Sequence, residues 1–196
     1  MSKKIVITGG LGYIGTELCK IYSGTSWNDE ILVIDNKFAS ERVNQLRSWG
    51  IDFVHGDILD KDLVNKYCKD ADIVHHLAGI TDVPRLKSES SKDRDAKIKL
   101  VAEEGTQNII NAINNKCKII FPSTHVVYEG IEKIKNDILE DEYTKPILSY
   151  ASSKAINEKQ LKSSGKNYII LRLGSVYGYS TDTARINIMP NLFSKI

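Results

Sequence analysis

A tyrosine and a lysine stand four residues apart in the stretch SYASSKA, as Tyr150 and Lys154. A phenol titrates near pKa ~10, so it is a weak base at neutral pH unless a nearby positive charge favours the phenolate. On a helix these two positions share one face, which would hold the Lys154 ammonium beside the Tyr150 phenol. Such a pair could remove a proton from a substrate hydroxyl, although surface helices also contain this spacing by chance.

The bulk composition is that of an ordinary folded domain. The chain has 196 residues, of which 41% are apolar and 27% charged, as in soluble globular proteins. A net charge of +2 is too small to favour nucleic acid or an anionic membrane. We find no apolar run that could span a bilayer and no secretory leader pattern, so a cytoplasmic location is expected. Cys19, Cys68 and Cys117 have no metal or disulfide spacing, which fits a reducing compartment, and no metal site is predicted.

Short apolar runs alternate with longer amphipathic stretches. The apolar runs lack a two-residue alternation, which is typical of parallel strands covered on both faces. Their order predicts an α/β fold, a doubly wound parallel sheet of the Rossmann type. The predicted strands are 4–8, 30–35, 52–57, 71–79, 118–123 and 168–174. The predicted helices are 14–23, 39–49, 60–69 with Asp60 as N-cap, 97–114 and 150–164.

The first predicted strand ends in ITGGLGYIGTEL, with glycines at 9, 12 and 15. Gly9 permits a tight turn, Gly12 lets the backbone approach a pyrophosphate, and Gly15 lets the next helix pack closely on the sheet. The start of that helix, at Tyr13 and Ile14, then offers N–H groups to the phosphates. A strand before and a helix after the glycines are the context that a dinucleotide site requires.

The second predicted strand ends in Asp35, 20 residues after Gly15. A carboxylate there can accept hydrogen bonds from both adenosine ribose hydroxyls and would repel a 2′-phosphate. Asn36 and Lys37 follow, with no arginine directly after the aspartate, so NAD is favoured over NADP. Asn36 is included in the predicted cofactor site.

Two further strand ends are predicted to face the cofactor, because ligands of open α/β sheets bind outside the carboxyl ends of the strands. After the third strand, Asp57 could accept from the adenine amino group and Ile58 could pack on the ring. After the fourth strand, Leu77, Ala78 and Gly79 would run beside the nicotinamide half.

Two other features have simple structural interpretations. His75 and His76 are interpreted as satisfied polar residues near a strand end, without a catalytic role. Residues 85–99 carry many charges of both signs, which indicates a solvated loop and helix start. A mobile lid over a ligand is the alternative for this segment.

The motifs TGGLGYIG, GDI, HLAG, PSTHVVY, YASSK and LRLGSVYG follow one another in this order, with Asp35 ending the second strand. They resemble the extended short-chain dehydrogenase/reductases, and in particular the NAD-dependent sugar-nucleotide epimerases and dehydratases of the UDP-glucose 4-epimerase type. The resemblance covers residues 4–190. It implies a nucleotide-sugar substrate and a homodimer formed through the helices at 97–114 and 150–164.

The resemblance also implies the catalytic residues. Thr124 would work with Tyr150 and Lys154, with Ser123 as the alternative if the register shifts by one residue. Tyr150 would take a proton from a sugar hydroxyl while a hydride passes to NAD, and Lys154 would reach the nicotinamide ribose. The resemblance further places Leu173 and Val176 beside the nicotinamide.

Which reaction follows is less closely defined by the residues. His125 and Val126 stand where dehydratases of this family usually have acidic residues, which favours an epimerase or a simple dehydrogenase/reductase over a dehydratase. The resemblance indicates an NAD-binding domain at residues 1–180 and the start of a substrate-binding lobe at 181–196. Because most of that lobe is absent from this sequence, a non-catalytic NAD-binding module is a further alternative.

Three positions differ from the usual family pattern. Polar support before Gly105 in the long helix is missing or replaced, and Pro122 and Glu129 flank Thr124 where small residues are usual. Pro122 is tolerable at a strand end, but the local backbone is expected to differ there.

Overall fold

A computed structural model of the chain describes residues 2–25, 28–81, 91–132, 135–178 and 180. Within these residues it confirms the predicted α/β fold as a parallel six-stranded sheet in the order β3-β2-β1-β4-β5-β6. The strands are β1 (Lys4–Thr8), β2 (Glu30–Asp35), β3 (Asp52–His55), β4 (Ile73–His76), β5 (Lys118–Thr124) and β6 (Asn167–Leu173). The helices are α1 (Tyr13–Thr25), α2 (Ser40–Ser48), α3 (Lys61–Cys68), α4 (Lys92–Ala112) and α5 (Ser149–Ser163), with a 3₁₀ helix at His125–Tyr128.

The sheet separates two hydrophobic cores, because successive residues of a strand face opposite sides. On one face, Ile7 and Val33 pack with Leu46 of α2. On the other, Val6 and Ile119 belong to the core that includes residues of α3, α4 and α5. The strand order reverses between β1 and β4, and ligands of such sheets bind at this reversal, outside the carboxyl ends of the strands.

The predicted elements are confirmed, with differences at their ends. The side chain of Asp60 caps α3 as predicted, accepting from Asp62 N at 3.1 Å and Leu63 N at 3.0 Å. α4 begins at Lys92, earlier than predicted, because Ser91 caps it there. Pro122 lies inside β5 rather than at its end, in register with Leu171 of β6. The 3₁₀ helix was not predicted, and residues 82–90 of the charged segment lie outside the described residues.

The three cysteines are free and buried. Burial raises the pKa of Cys19 and Cys68 to about 12 and that of Cys117 to about 11, so the three thiols stay protonated. In the described residues, no helix is both long and apolar enough to cross a membrane. The same residues contain no group of His, Cys, Asp and Glu arranged to hold a metal ion.

Candidate active site

The glycine turn has the shape that the sequence predicted. Gly9 has φ +72, and a Cβ there would lie 2.8 Å from Ala78 Cα, so the turn touches the loop after β4. At Gly15 a Cβ would lie 2.5 Å from the Gly9 carbonyl oxygen, which explains how α1 approaches the turn so closely. Gly12 is exposed and donates its N–H to Gly9 O at 3.1 Å.

α1 begins at Tyr13, directly after this turn. The first N–H groups of a helix have no partner inside the helix, and Tyr13 and Ile14 supply two of them here. Ile14 is 38% exposed. The Tyr13 hydroxyl donates to Gly178 O at 2.6 Å, which joins this helix end to the segment after β6. The predicted phosphate site is therefore bordered by both segments.

Asp35 lies beside the glycine turn at the end of β2. Its carboxylate accepts from Leu11 N at 3.0 Å and from Lys37 N at 2.9 Å, which fixes both oxygens in place. The sequence did not show that Arg42 of α2 reaches the same turn, where its guanidinium donates to the Leu11 carbonyl. The predicted contact of this carboxylate with an adenosine ribose stays a prediction.

The loop after β3 is held by side chains as well. Asp57 accepts from Asn36 Nδ2 at 2.9 Å and from Leu59 N at 3.0 Å. The Ile58 side chain differs from its prediction. It is 5% exposed because it fills the space over Gly105, where a Cβ would lie 2.3 Å from its Cδ1. It therefore has little surface left to pack on an adenine ring.

Polar groups on α4 replace the support that the sequence left in question. Thr106 hydrogen-bonds His76 Nε2 at 3.0 Å, and His76 Nδ1 hydrogen-bonds Thr8 at 3.0 Å. Thr8 in turn accepts from Ala78 N at 3.2 Å, so this chain of contacts fixes the loop after β4. Asn108 donates to Ile58 O at 3.0 Å and holds the loop after β3.

Both histidines are satisfied inside the fold, as predicted. Burial, together with the charge of Lys154, lowers the pKa of His76 to about 3. Burial lowers the pKa of His75 to about 4, and its Nε2 hydrogen-bonds the Tyr22 hydroxyl at 2.7 Å. At neutral pH the two rings are uncharged.

The predicted catalytic lysine reaches β5 near its end. Lys154 Nζ donates to Pro122 O at 2.8 Å, two residues before Thr124. The same nitrogen lies 4.4 Å from the centre of the Phe121 ring and 5.8 Å from that of the Tyr150 ring. Burial lowers the pKa of Lys154 to about 8, because little water reaches the ammonium. The positive charge of Lys154 thus lies near the Tyr150 ring.

The structure favours Thr124 over Ser123. The Ser123 hydroxyl donates to Glu158 Oε1 at 2.5 Å and is buried against α5. Thr124 ends the strand and is 8% exposed, and its hydroxyl accepts from Val126 N at 3.4 Å to begin the 3₁₀ helix.

β6 ends at Leu173 beside the turn that follows β5, and Val176 lies in the segment after it. His125 Nδ1 hydrogen-bonds Leu173 O at 3.1 Å, and Val176 is 37% exposed. A Cβ added at Gly79 or at Gly174 would meet nothing within 4 Å among the described residues, so space remains open at both. These roles at the cofactor stay predictions.

Sequence reasoning missed three contributions to this site. Glu129 accepts from Ile147 N at 3.0 Å and Leu148 N at 2.9 Å, just before α5 begins. The Pro122 carbonyl that holds Lys154 is a backbone atom and leaves no sequence signal.

The third contribution is the pair of Glu158 and Arg172. An arginine inside the apolar strand YIILRLG is a signal that could have been used, because a buried arginine requires a partner.

Comparison with known proteins agrees with this geometry. The model of the NAD dependent epimerase/dehydratase family matches residues 5–196, and the chain belongs to this family. It is 31% identical to CDP-paratose 2-epimerase of Salmonella typhi, over 89% of this chain and 58% of that protein. It is 32% identical to dTDP-D-glucose 4,6-dehydratase of Dictyostelium discoideum, over 90% of this chain and 44% of that protein.

A solved structure of UDP-glucose 4-epimerase from Brucella ovis in complex with NAD is similar with a TM-score of 0.73 and 28% identity. The match covers 92% of this chain and 55% of that one. The chain thus spans about half the length of the relatives it matches. NAD is the cofactor of the family. The residues here fit it, because the turn has no room for a Cβ at Gly9 or Gly15, a helix begins directly after the turn, and a carboxylate ends β2.

Proposed function

We propose that the chain forms the NAD-binding and proton-transfer part of a sugar-nucleotide epimerase. The observation that carries this proposal is the position of Lys154 Nζ, between the Pro122 carbonyl at 2.8 Å and the Tyr150 ring at 5.8 Å from its centre. It lies at the strand end where Thr124 stands. Outside the carboxyl ends of parallel strands is also where the cofactor of such a fold is bound.

Bound NAD supplies hydride acceptance and return. Tyr150 takes the proton of a sugar hydroxyl as the carbon that bears it is oxidised, and returns the proton when the keto sugar is reduced from its other face. Lys154 favours the phenolate through its charge. Thr124 hydrogen-bonds the same sugar hydroxyl and orients it. Each of these side chains stands on a regular element, which limits its movement.

Epimerisation is preferred to dehydration because the turn after Thr124 lacks acidic residues. The positions are filled by His125, which is hydrogen-bonded to the Leu173 carbonyl, and by Val126. Elimination of water requires an acid near the leaving hydroxyl. A dehydratase or a dehydrogenase/reductase remains the alternative within the same family.

The substrate, assembly and location are part of the proposal. The names of the relatives include CDP-, dTDP- and UDP-linked sugars, which supports a nucleotide-sugar substrate here. We expect a homodimer formed through α4 and α5. Within one chain, Asn157 and Gln160 of α5 donate hydrogen bonds to carbonyl groups of α4, which holds the two helices together as one surface. Leu100 of α4 is 44% exposed, as expected for a residue that a second subunit would cover. A cytoplasmic location is retained as a prediction. Residues 181–196, the predicted start of a substrate lobe, lie outside the described residues.

The proposal is tested by adding UDP-, dTDP-, CDP- and GDP-sugars to the NAD-loaded protein and following NADH absorbance and sugar configuration. The expected result is an epimerised sugar, and Tyr150→Phe should lower turnover about 10³-fold without loss of NAD. A near-normal rate in that variant would remove the catalytic assignment. NAD binding without turnover of any sugar would identify the chain as a cofactor-binding module instead. Light scattering of the same samples tests the dimer.

A further inference from the structure

A buried charged cluster lies behind the proposed catalytic residues. The Glu158 carboxylate, with a side chain that is 4% exposed, accepts from Arg172 Nε at 3.0 Å and from Arg172 Nη2 at 2.6 Å. The Ser123 hydroxyl donates to the same carboxylate at 2.5 Å. Burial alone would raise the pKa of Glu158, but the Arg172 and Ser123 hydrogen bonds and the Arg172 and Lys162 charges outweigh it and lower the pKa. The pair is therefore ionised at neutral pH.

The same guanidinium reaches two other segments. Arg172 Nη1 donates to the Tyr128 hydroxyl and, at 2.8 Å, to Glu140 O. Tyr128 ends the 3₁₀ helix that begins directly after Thr124, and Glu140 lies in the segment that leads to α5. One arginine of β6 thus connects both segments to α5.

Members of this cluster are close in sequence to the proposed catalytic residues. Ser123 is the residue before Thr124, and Glu158 lies four residues, about one helical turn, after Lys154. A buried ion pair adds little net stability over an apolar pair, because both charges lose their water. Its contribution is to positioning, because a bidentate arginine–carboxylate contact fixes both the distance and the angle between the two side chains.

We propose that Glu158 and Arg172 are positioning residues that fix Thr124 relative to Tyr150 and Lys154. Arg172 and Ser123 bind the β5 end and its following turn to the Glu158 carboxylate, and Glu158 stands on the helix that carries the phenol and the ammonium. The inference rests on the proposed function for its effect on turnover. Its effect on the Thr124 segment can be measured separately.

Two variants can distinguish an effect on the position of Thr124 from a general loss of folding. Ser123→Ala removes one hydroxyl and should fold normally, with Ser163→Ala at the exposed end of α5 as its control. Glu158→Gln removes the charge, with Glu132→Gln as its control, because Glu132 also pairs with a lysine but has an 83% exposed side chain. Tyr128→Phe removes one more partner of Arg172 if Glu158→Gln does not fold.

The first readout is amide hydrogen exchange of the NAD-bound chain. At residues 124–129 we expect exchange about tenfold faster in Glu158→Gln and a smaller change in Ser123→Ala, while β1 and β2 exchange at the normal rate. The second readout is turnover of the nucleotide sugar. We expect kcat to fall about 10- to 100-fold in Glu158→Gln, with KM and the NAD dissociation constant changed less than about threefold. Both controls should match the wild type.

Unchanged exchange at residues 124–129, or a normal kcat in both variants, would overturn the inference. Faster exchange throughout the chain with a matching loss of NAD sites would show a general structural role and would also overturn it. If the wild type transfers no hydride, the proposed function fails, and the exchange readout alone decides whether the cluster holds the Thr124 segment.

Discussion

The two sides of the cofactor crevice are built in different ways. Around β1 and β2 the site depends on backbone shape: Gly9 has φ +72, and Gly15 fits because it has no Cβ. Around β5 and β6 it depends on side chains that come from separate elements and meet only in the folded chain. Lys154 reaches a backbone carbonyl of β5, and Arg172 of β6 reaches Glu158 of α5.

The strands on the two sides also differ in how deeply they are buried. β1 is buried at four of its five residues, and helices cover both of its faces. β6 leaves Tyr168, Ile169 and Leu171 36%, 40% and 42% exposed in the described part of the chain. We infer that the nucleotide side is sensitive to added atoms in its backbone turn. The catalytic side should instead be sensitive to lost charges and hydroxyls.

The largest expected effect is on the catalytic side and depends on pH. The pKa of Lys154 is lowered to about 8 in the folded chain, and an unfolded lysine titrates near ~10.4. Between these values the unfolded chain holds the extra proton, so stability rises with pH. Relative to Lys154→Met, the wild type without cofactor should gain about 3 kcal/mol of unfolding free energy from pH 8 to 10.5.

Urea unfolding at each pH measures this difference. Lys159→Met is the matched control, because Lys159 lies on the same helix and is exposed, so its removal should leave the slope unchanged. Equal slopes for wild type and Lys154→Met would mean that the ammonium is hydrated and that this side of the crevice is open to water.

The next effect is on the nucleotide side. In Gly15→Ala the new Cβ would lie 2.5 Å from Gly9 O and 2.6 Å from Gly10 Cα, both backbone atoms that cannot rotate away. Overpacking of this kind costs about 1–3 kcal/mol, so NAD affinity should fall roughly 10- to 100-fold. Calorimetric titration with NAD measures it. Gly24→Ala in the same helix meets nothing within 4 Å and should keep full affinity, and equal losses in both would refute the packing argument.

A smaller effect is expected at Asp35, where the nucleotide side does depend on a side chain. Asp35→Asn removes the charge that accepts ribose hydroxyls and should weaken NAD binding roughly tenfold, the usual value of a charged hydrogen bond. It also removes repulsion of a 2′-phosphate, so NADP should lose less affinity than NAD. Paired titrations with the two cofactors give this ratio. An unchanged preference for NAD would show that Asp35 does not contact the ribose.

This contrast also decides what the sequence could predict. The glycine turn, Asp35 and the Asp60 cap were predicted because each depends on neighbours in the chain, where spacing is visible. The contact of Ser123 with Glu158 and Arg172 was not, because three separate elements form it. The sequence also did not show that the Ile58 side chain packs against α4, because this is another tertiary contact, and the side chain was therefore predicted to lie on the cofactor. The sequence indicates that the arginine of β6 needs a partner, but only the three-dimensional structure shows that this partner is a carboxylate of α5.

The smallest expected effect separates stability from binding on the nucleotide side. Asp60 caps α3 through Asp62 N and Leu63 N, and Asp60→Ala should lower the free energy of unfolding by about 1 kcal/mol. Asp60→Asn keeps an acceptor oxygen and should lose much less. Neither change alters the glycine turn, so NAD affinity should stay within about twofold of the wild type at temperatures where the variants are folded. A parallel loss of affinity and stability would mean that the turn depends on the rigidity of this whole side, and its backbone shape alone would then not explain cofactor binding.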